Sequence, residues 1–168
     1  MDAREPPAAP LEGEHVPSAL EVRIMNRIDL DDIEGRRFPA GRRTKHIVGG
    51  LSPIQSAHFA LGLVTLDPHG GQVPWHNQDQ EELYFVVDGT GEMCLGVERE
   101  PIGAGQAVAI PPGVFHQITN TGPTPLRLIY CYGPAGDVAH WRQELDGTLP
   151  RAGVDAPPLP EGSRPQRA

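Results

Sequence analysis

Two stretches of this chain carry metal-ligand side chains within strand-like sequence, and together they constrain the fold more than any other feature. Pro74–Gly89 reads PWHNQDQEELYFVVDG, and Gly105–Asn120 reads GQAVAIPPGVFHQITN. In the first, His76, Gln78 and Glu82 share one parity, so a strand through them would place all three on one face. The run Leu83-Tyr84-Phe85-Val86-Val87 that follows is β-branched and aromatic, which is strand chemistry, and Asp88-Gly89 closes it with a turn signal. In the second stretch, Pro111-Pro112-Gly113 turns the chain into a strand that delivers His116. Two imidazoles, a carboxylate and an amide oxygen are donors that a borderline divalent cation accepts.

Glu82 sits in an apolar strand face, where an uncompensated carboxylate is costly, so a metal or an arginine must answer it. Gln78 has two readings. As a ligand it is a weak neutral oxygen donor. Standing behind the ligands, it leaves His76, Glu82 and His116, a set of two histidines and one carboxylate that suits Fe(II) and keeps positions open. Glu81 has the opposite parity and is read as solvated. Tyr84 shares parity with Glu82 and either lines the pocket or fills the barrel; the same two readings hold for Tyr130 and Tyr132. Trp75 is read as leaning over the mouth of the site. His15, His46, His58, His69 and His140 have no motif around them and are read as surface or structural.

These residues carry a family resemblance. The two stretches resemble the paired motifs of the cupin superfamily. Gly70, His76, Gln78, Glu82 and Gly89 match the first in register, and Gly105, Pro111, Gly113, His116 and Asn120 match the second at every defined position. The departure is Gln78, where the family usually has a second histidine. The resemblance implies an all-β, single-domain jelly-roll barrel with a divalent metal inside. Fe(II) is favoured, with Mn, Ni or Zn as alternatives. The implied metal ligands are His76, Gln78, Glu82 and His116, with Glu82 and Tyr84 as the catalytic candidates.

The organisation expected around that core is an arm at 1–20, a barrel with a C-terminal helix at 21–146, and a proline-rich tail at 147–168. Strands are expected at Lys45–Val48, His58–Leu66, Leu83–Val87, Glu92–Val97, Ala107–Ile110, Phe115–Asn120 and Leu126–Tyr132, with Gly or Pro between most of them. Residues Glu21–Ile28 alternate and could add an edge strand, and Asp29–Gly41 reads as turn-rich. Asp137–Leu145 reads as a short helix capped by Asp137, with Val138, Trp141 and Leu145 lying on the barrel exterior. Both ends are rich in proline and are expected to be loose.

The formal net charge of −8 and the single lysine, Lys45, make nucleic acid and anionic membranes poor partners. The Arg37, Arg42, Arg43, Lys45 cluster is read as a solvated edge or a subunit contact. No apolar run approaches the ~18 residues of a membrane span. Cys94 and Cys131 form no CxxC pair and are read as reduced thiols of a cytoplasmic protein. The preferred function is a metal-dependent, dioxygenase-type oxidoreductase acting on a small organic substrate, as a homodimer. The alternatives are an isomerase, lyase or cyclase that does not use O2, and a non-catalytic module that binds a sugar or metabolite.

Overall fold

The computed structural model describes residues 25–50 and 52–167. Among the described residues, ten strands form two antiparallel sheets that face one another. In chain order the strands are β1 Arg36–Phe38, β2 Arg42–Val48, β3 Ala60–Leu66, β4 Gln72–His76, β5 Glu81–Asp88, β6 Thr90–Leu95, β7 Glu98–Gly103, β8 Ala107–Ile110, β9 His116–Asn120 and β10 Leu126–Gly133. One helix, α1, spans His140–Asp146. The larger sheet runs β1-β2-β3-β10-β5-β8 and the smaller runs β4-β9-β6-β7. This is the jelly-roll architecture with a short C-terminal helix.

Strand β5 shows how the sequence sets the faces. Glu82, Tyr84 and Val86 point inward, while Glu81, Leu83, Phe85 and Val87 point out. Leu66, Val86, Ile118, Leu126 and Leu128 are fully buried between the sheets. Each such side chain contributes about 1.5–3 kcal/mol through burial. The turn from β5 to β6 passes through Gly89 at φ 88°, where a Cβ would meet the Leu126 Cα at 2.8 Å. That position admits only glycine comfortably.

Three strands went unread in the sequence. β4 and β7 each contain a proline, Pro74 and Pro101, and each lies at an edge of the smaller sheet. An edge strand tolerates the missing amide, but the proline disguises it. β1 is only three residues long, at the edge of the larger sheet. The edge strand expected at Glu21–Ile28 is not present over Met25–Ile28, and its first four residues lie outside the described residues, as does the arm at 1–20.

The helix departs from expectation in cap and in face. Its N-cap is Ala139, with no side-chain cap, and Asp137 instead pairs with Arg142. Its buried residues are His140, Trp141 and Glu144, while Leu145 is exposed. α1 does not lie on the barrel exterior. Trp141 enters the core against Tyr130 and Tyr132, at centroid distances of 6.3 and 6.2 Å. The physical reason lies inside the barrel, where Arg42 of β2 pairs with Glu144 and the His76 ring of β4 packs on His140.

The proline-rich tail is not loose either. It crosses the outer face of the smaller sheet and is fixed by side chains of β4, β6 and β9. Trp75 donates to Pro157 O at 2.9 Å, and Gln117 donates to Arg164 O at 2.9 Å. Proline lowers the entropy that ordering costs, so a segment poor in apolar side chains can still be held by hydrogen bonds.

Candidate metal centre

The two sheets bring the expected residues together by a route that parity did not describe. His76 ends β4 in the smaller sheet, and Glu82 lies in β5 of the larger one, with Asn77–Gln80 outside any strand. The two side chains meet because the sheets face each other, not because they share one strand. His116 opens β9 and pairs with His76 across the ladder.

The three side chains are buried, and their ligand atoms all lie within 4.8 Å of one another. His116 Nε2 is 3.3 Å from Glu82 Oε2, and the two imidazole centroids are 4.1 Å apart. His76 Nδ1 is 2.7 Å from Pro74 O, and His116 Nδ1 is 2.9 Å from Val114 O. A carbonyl can only accept, so each Nδ1 carries the proton and each Nε2 presents its lone pair to the other ligands. Among the described residues His76 Nε2, His116 Nε2 and Glu82 Oε2 have no hydrogen-bond partner. Buried polar atoms without partners are costly, and a divalent cation satisfies all three at once. The donor set therefore fits a metal.

Gln78, two residues after His76, is buried, and neither its amide oxygen nor its nitrogen has a partner among the described residues. Its backbone oxygen accepts from Gly113 N at 2.7 Å, which ties the first motif to the Pro111–Gly113 turn. Gly113 holds φ 77° there. Tyr84 is buried with its ring edge-on to His116, 5.8 Å between centroids. Burial, and then the neighbouring Glu82, push its phenol well above the usual range, so Tyr84 keeps its proton. Burial, with His116 beside it, holds His76 well below the ordinary histidine range and keeps it neutral. Glu81 is exposed, as its parity requires.

Three residues near the centre escaped the sequence reading. His140 stacks on His76 with centroids 3.8 Å apart, and burial lowers its basicity. Arg42, read with the solvated cluster, is 2% exposed and pairs with the equally buried Glu144 of α1. Burial raises the Glu144 carboxyl while Arg42 pulls the other way; an arginine stays charged even here. The alternation of Arg42, Thr44 and His46 in β2 was the available signal, since the first two are buried and the third half-buried. Trp75 does not lean over the site. It faces outward under the tail, with no exposure and its indole on Pro157. Tyr130 and Tyr132 do line the interior, and Tyr130 Oη lies 2.6 Å from His46 Nδ1. His58 and His69 are exposed. Cys94 and Cys131 are free, and Cys94 Sγ lies 3.3 Å from Ser163 Oγ under the tail.

The chain has relatives in sequence and in fold. Residues 62–132 match the family described as "Cupin domain". An uncharacterized protein of Methanocaldococcus jannaschii is 34% identical over 68 residues, which is 40% of this chain and 54% of that one. Gentisate 1,2 dioxygenase 1 of Aquipseudomonas alcaligenes is 38% identical over 79 residues, 46% of this chain but only 22% of that protein. The chain thus spans about half of the first relative and about a fifth of the second. Among solved structures, the polyketide cyclase RemF from Streptomyces resistomycificus superposes with a TM-score of 0.56 at 21% identity, covering 66% of this chain and 80% of that one. The family match over residues 62–132, with the motif register and the sheet topology, shows a small cupin domain in this chain.

Proposed function

We propose that His76, Glu82 and His116 hold one divalent transition metal and that the protein is a metal-dependent enzyme acting on a small organic substrate between the sheets. The observation that carries this reading is the trio of buried, unpartnered ligand atoms, with both imidazoles locked by Nδ1 hydrogen bonds in the ligating tautomer. Two histidines and one carboxylate suit Fe(II). Bound there, Fe(II) supplies Lewis-acid polarisation of a substrate oxygen and a place for O2 to react. The partial match to a gentisate dioxygenase supports the oxidoreductase reading.

The chain's own residues have definite tasks in this proposal. Pro74 O and Val114 O aim the two imidazoles. Tyr84, protonated throughout the ordinary pH range, donates a hydrogen bond to a substrate oxygen. Glu82 takes up a proton when its carboxylate is not engaged. Gln78 presents its free amide to the same space and tunes the site from beside it. A second reading, a cyclase, isomerase or lyase that does not use O2, draws on the resemblance in fold to a polyketide cyclase. The proposal has the protein act in the cytoplasm as a homodimer. The outward Leu83, Phe85 and Val87 supply apolar area for such a pairing. No described helix is long and apolar enough to cross a membrane.

Elemental analysis of protein purified without added metal, with an oxygen electrode, tests the reading. The parent should carry close to one metal ion per chain, and His116→Ala should lose most of it while keeping its β-sheet circular dichroism. Full occupancy in His116→Ala would refute the ligand set. Iron with oxygen uptake supports the dioxygenase; metal-dependent turnover without oxygen uptake supports the second reading.

A further inference from the structure

With α1 seated, the interior beside Glu82 has no room for a substrate. The cavity there is lined by Arg42, Thr44, Glu82, Tyr84, Tyr130 and His140 among others, and its volume is about 10 Å³. That is space for about one water. His140 and Trp141 of α1 form one wall of it, and Glu144 is buried on the same helix. A ligand larger than a water gains room there when α1 moves.

The contact that holds α1 is chemically specific. Arg42 and Glu144 have side-chain exposures of 1% and 0%, and the guanidinium Nη2 bonds the carboxylate Oε2. Phe38 stacks on the guanidinium 3.8 Å away and fixes its plane. A helix needed only as a plug would close the barrel at lower cost with leucine, because a buried ion pair must offset the desolvation of both charges. Two further donors on β2, Arg42 Nε and Thr44 Oγ1, are buried at the same cavity and have no partner among the described residues. Strand β2 thus presents a fixed cation and a hydroxyl toward the interior. The carboxylate that Arg42 now meets from outside the sheets belongs to α1.

We propose that Arg42 and Thr44 form the anchor for a carboxylate-bearing ligand, and that Glu144 occupies this anchor when α1 is seated. This rests on the barrel interior being the substrate site, as in the function proposed above, and it names the substrate class: a small carboxylic acid. A ligand carboxylate on the guanidinium replaces Glu144 one for one, so Arg42 is never left as an uncompensated buried charge. The planar fork of arginine accepts a carboxylate through two parallel bonds. Unseating Glu144 also withdraws Trp141 and His140, which opens the volume the rest of the ligand needs.

The test compares benzoate and succinate with their neutral counterparts benzamide and succinamide, by calorimetry on the full chain. Glu144→Gln should bind the two carboxylates at least about tenfold tighter than the parent, since the competing charge is gone. Its affinity for the amides should change far less. Arg42→Met/Glu144→Leu, which leaves no unpaired charge to unfold it, should show no preference for carboxylate over amide. Carboxylate binding to the metal is separated by His116→Ala/Glu144→Gln, in which the preference should persist. Loss of metal from every form would defeat the ligand-set reading and leave this readout intact. In the unaltered parent, saturating benzoate should accelerate hydrogen exchange of the α1 amides, and benzamide should not. Equal binding of acids and amides by Glu144→Gln would overturn the proposal. So would a carboxylate preference that survives Arg42→Met/Glu144→Leu, or α1 exchange that benzoate leaves unchanged.

Discussion

Gln72 and Gln78 lie six positions apart and are both buried, at 1% and 8% exposure, yet their surroundings are opposite. Gln72 faces out of the smaller sheet, donates to Pro165 O and accepts from Arg167 N, each at 2.8 Å. Glu92, on the same outer face, accepts from Arg164 N and from Arg99 Nε, again at 2.8 Å each. Gln78 is buried two residues after His76, and its amide, like His76 Nε2, Glu82 Oε2 and His116 Nε2, lacks a partner among the described residues. Burial alone does not separate scaffold from site. Satisfaction does: a polar group that the chain itself completes is structural, and one left incomplete marks where something else binds.

Removing the tail strikes the satisfied face hardest. Deleting residues 149–168 strips partners from Gln72, Trp75, Glu92 and Gln117 together. Each buried group left unpaired costs about 1–3 kcal/mol. At about 2–4 °C per kcal/mol, the melting temperature should fall by about 10–20 °C. Metal content per folded chain should stay at the parent level. A shift of only a few degrees would mean that water replaces the tail without loss, and the outer face would then not be completed by its own chain.

A paired substitution sharpens the contrast to single residues. Gln72→Leu leaves the Pro165 carbonyl and the Arg167 amide without their partner, so it should cost about 1–3 kcal/mol, or about 2–12 °C. Gln78→Leu, made in metal-stripped protein, removes two groups that already lack partners. Its melting temperature should hold or rise slightly, while metal affinity falls by about tenfold. Differential scanning calorimetry of the two variants decides the matter. If Gln78→Leu proves the more damaging in metal-free protein, the distinction between the faces fails.

How much of this was legible in the sequence follows the same line. The trio of His76, Glu82 and His116 that the fold brings together was readable because motif spacing fixes it locally, and the inward set of β5 because alternation does. The reason given for His76 and Glu82 was wrong, since one strand was assumed where two sheets converge. The pairing of Arg42 with Glu144 and of His140 with His76 was not readable, although alternation along β2 could have turned Arg42 inward. Arg42 and Glu144 stand 102 positions apart, and His140 and His76 stand 64 apart, so no local pattern couples them. Each alone resembles a solvated polar residue. The tail misled for a related reason: its contacts are mostly backbone groups meeting distant side chains, and composition carries no trace of them.

His46 sits between the two classes, and acid should reveal it. It is half-buried on β2, with Nδ1 2.6 Å from Tyr130 Oη and its ring 4.4 Å from that of Trp141. The charged groups bearing on it are Arg42 and Arg36. Burial first, and then these two cations, lower its pKa from 6.5 to about 4. Tyr130 keeps its proton, so its hydroxyl donates to a neutral His46, and protonating that nitrogen breaks the bond. Below pH 6.5 the unfolded chain takes up a proton that the folded chain refuses until about pH 4. The folded state therefore loses stability as pH falls through that window and gains nothing from this group above it. Part of the ring keeps its water, so the loss is about 1–2 kcal/mol, or about 3–5 °C. His46→Gln retains an acceptor for Tyr130 but cannot protonate, so metal-free His46→Gln should lose about 3–5 °C less than the parent between pH 6.5 and 4. Buried His76 and His140 leave a remaining slope of the same sign in both proteins. Superimposable melting curves across that range would place His46 among the groups the fold already tolerates in either charge state.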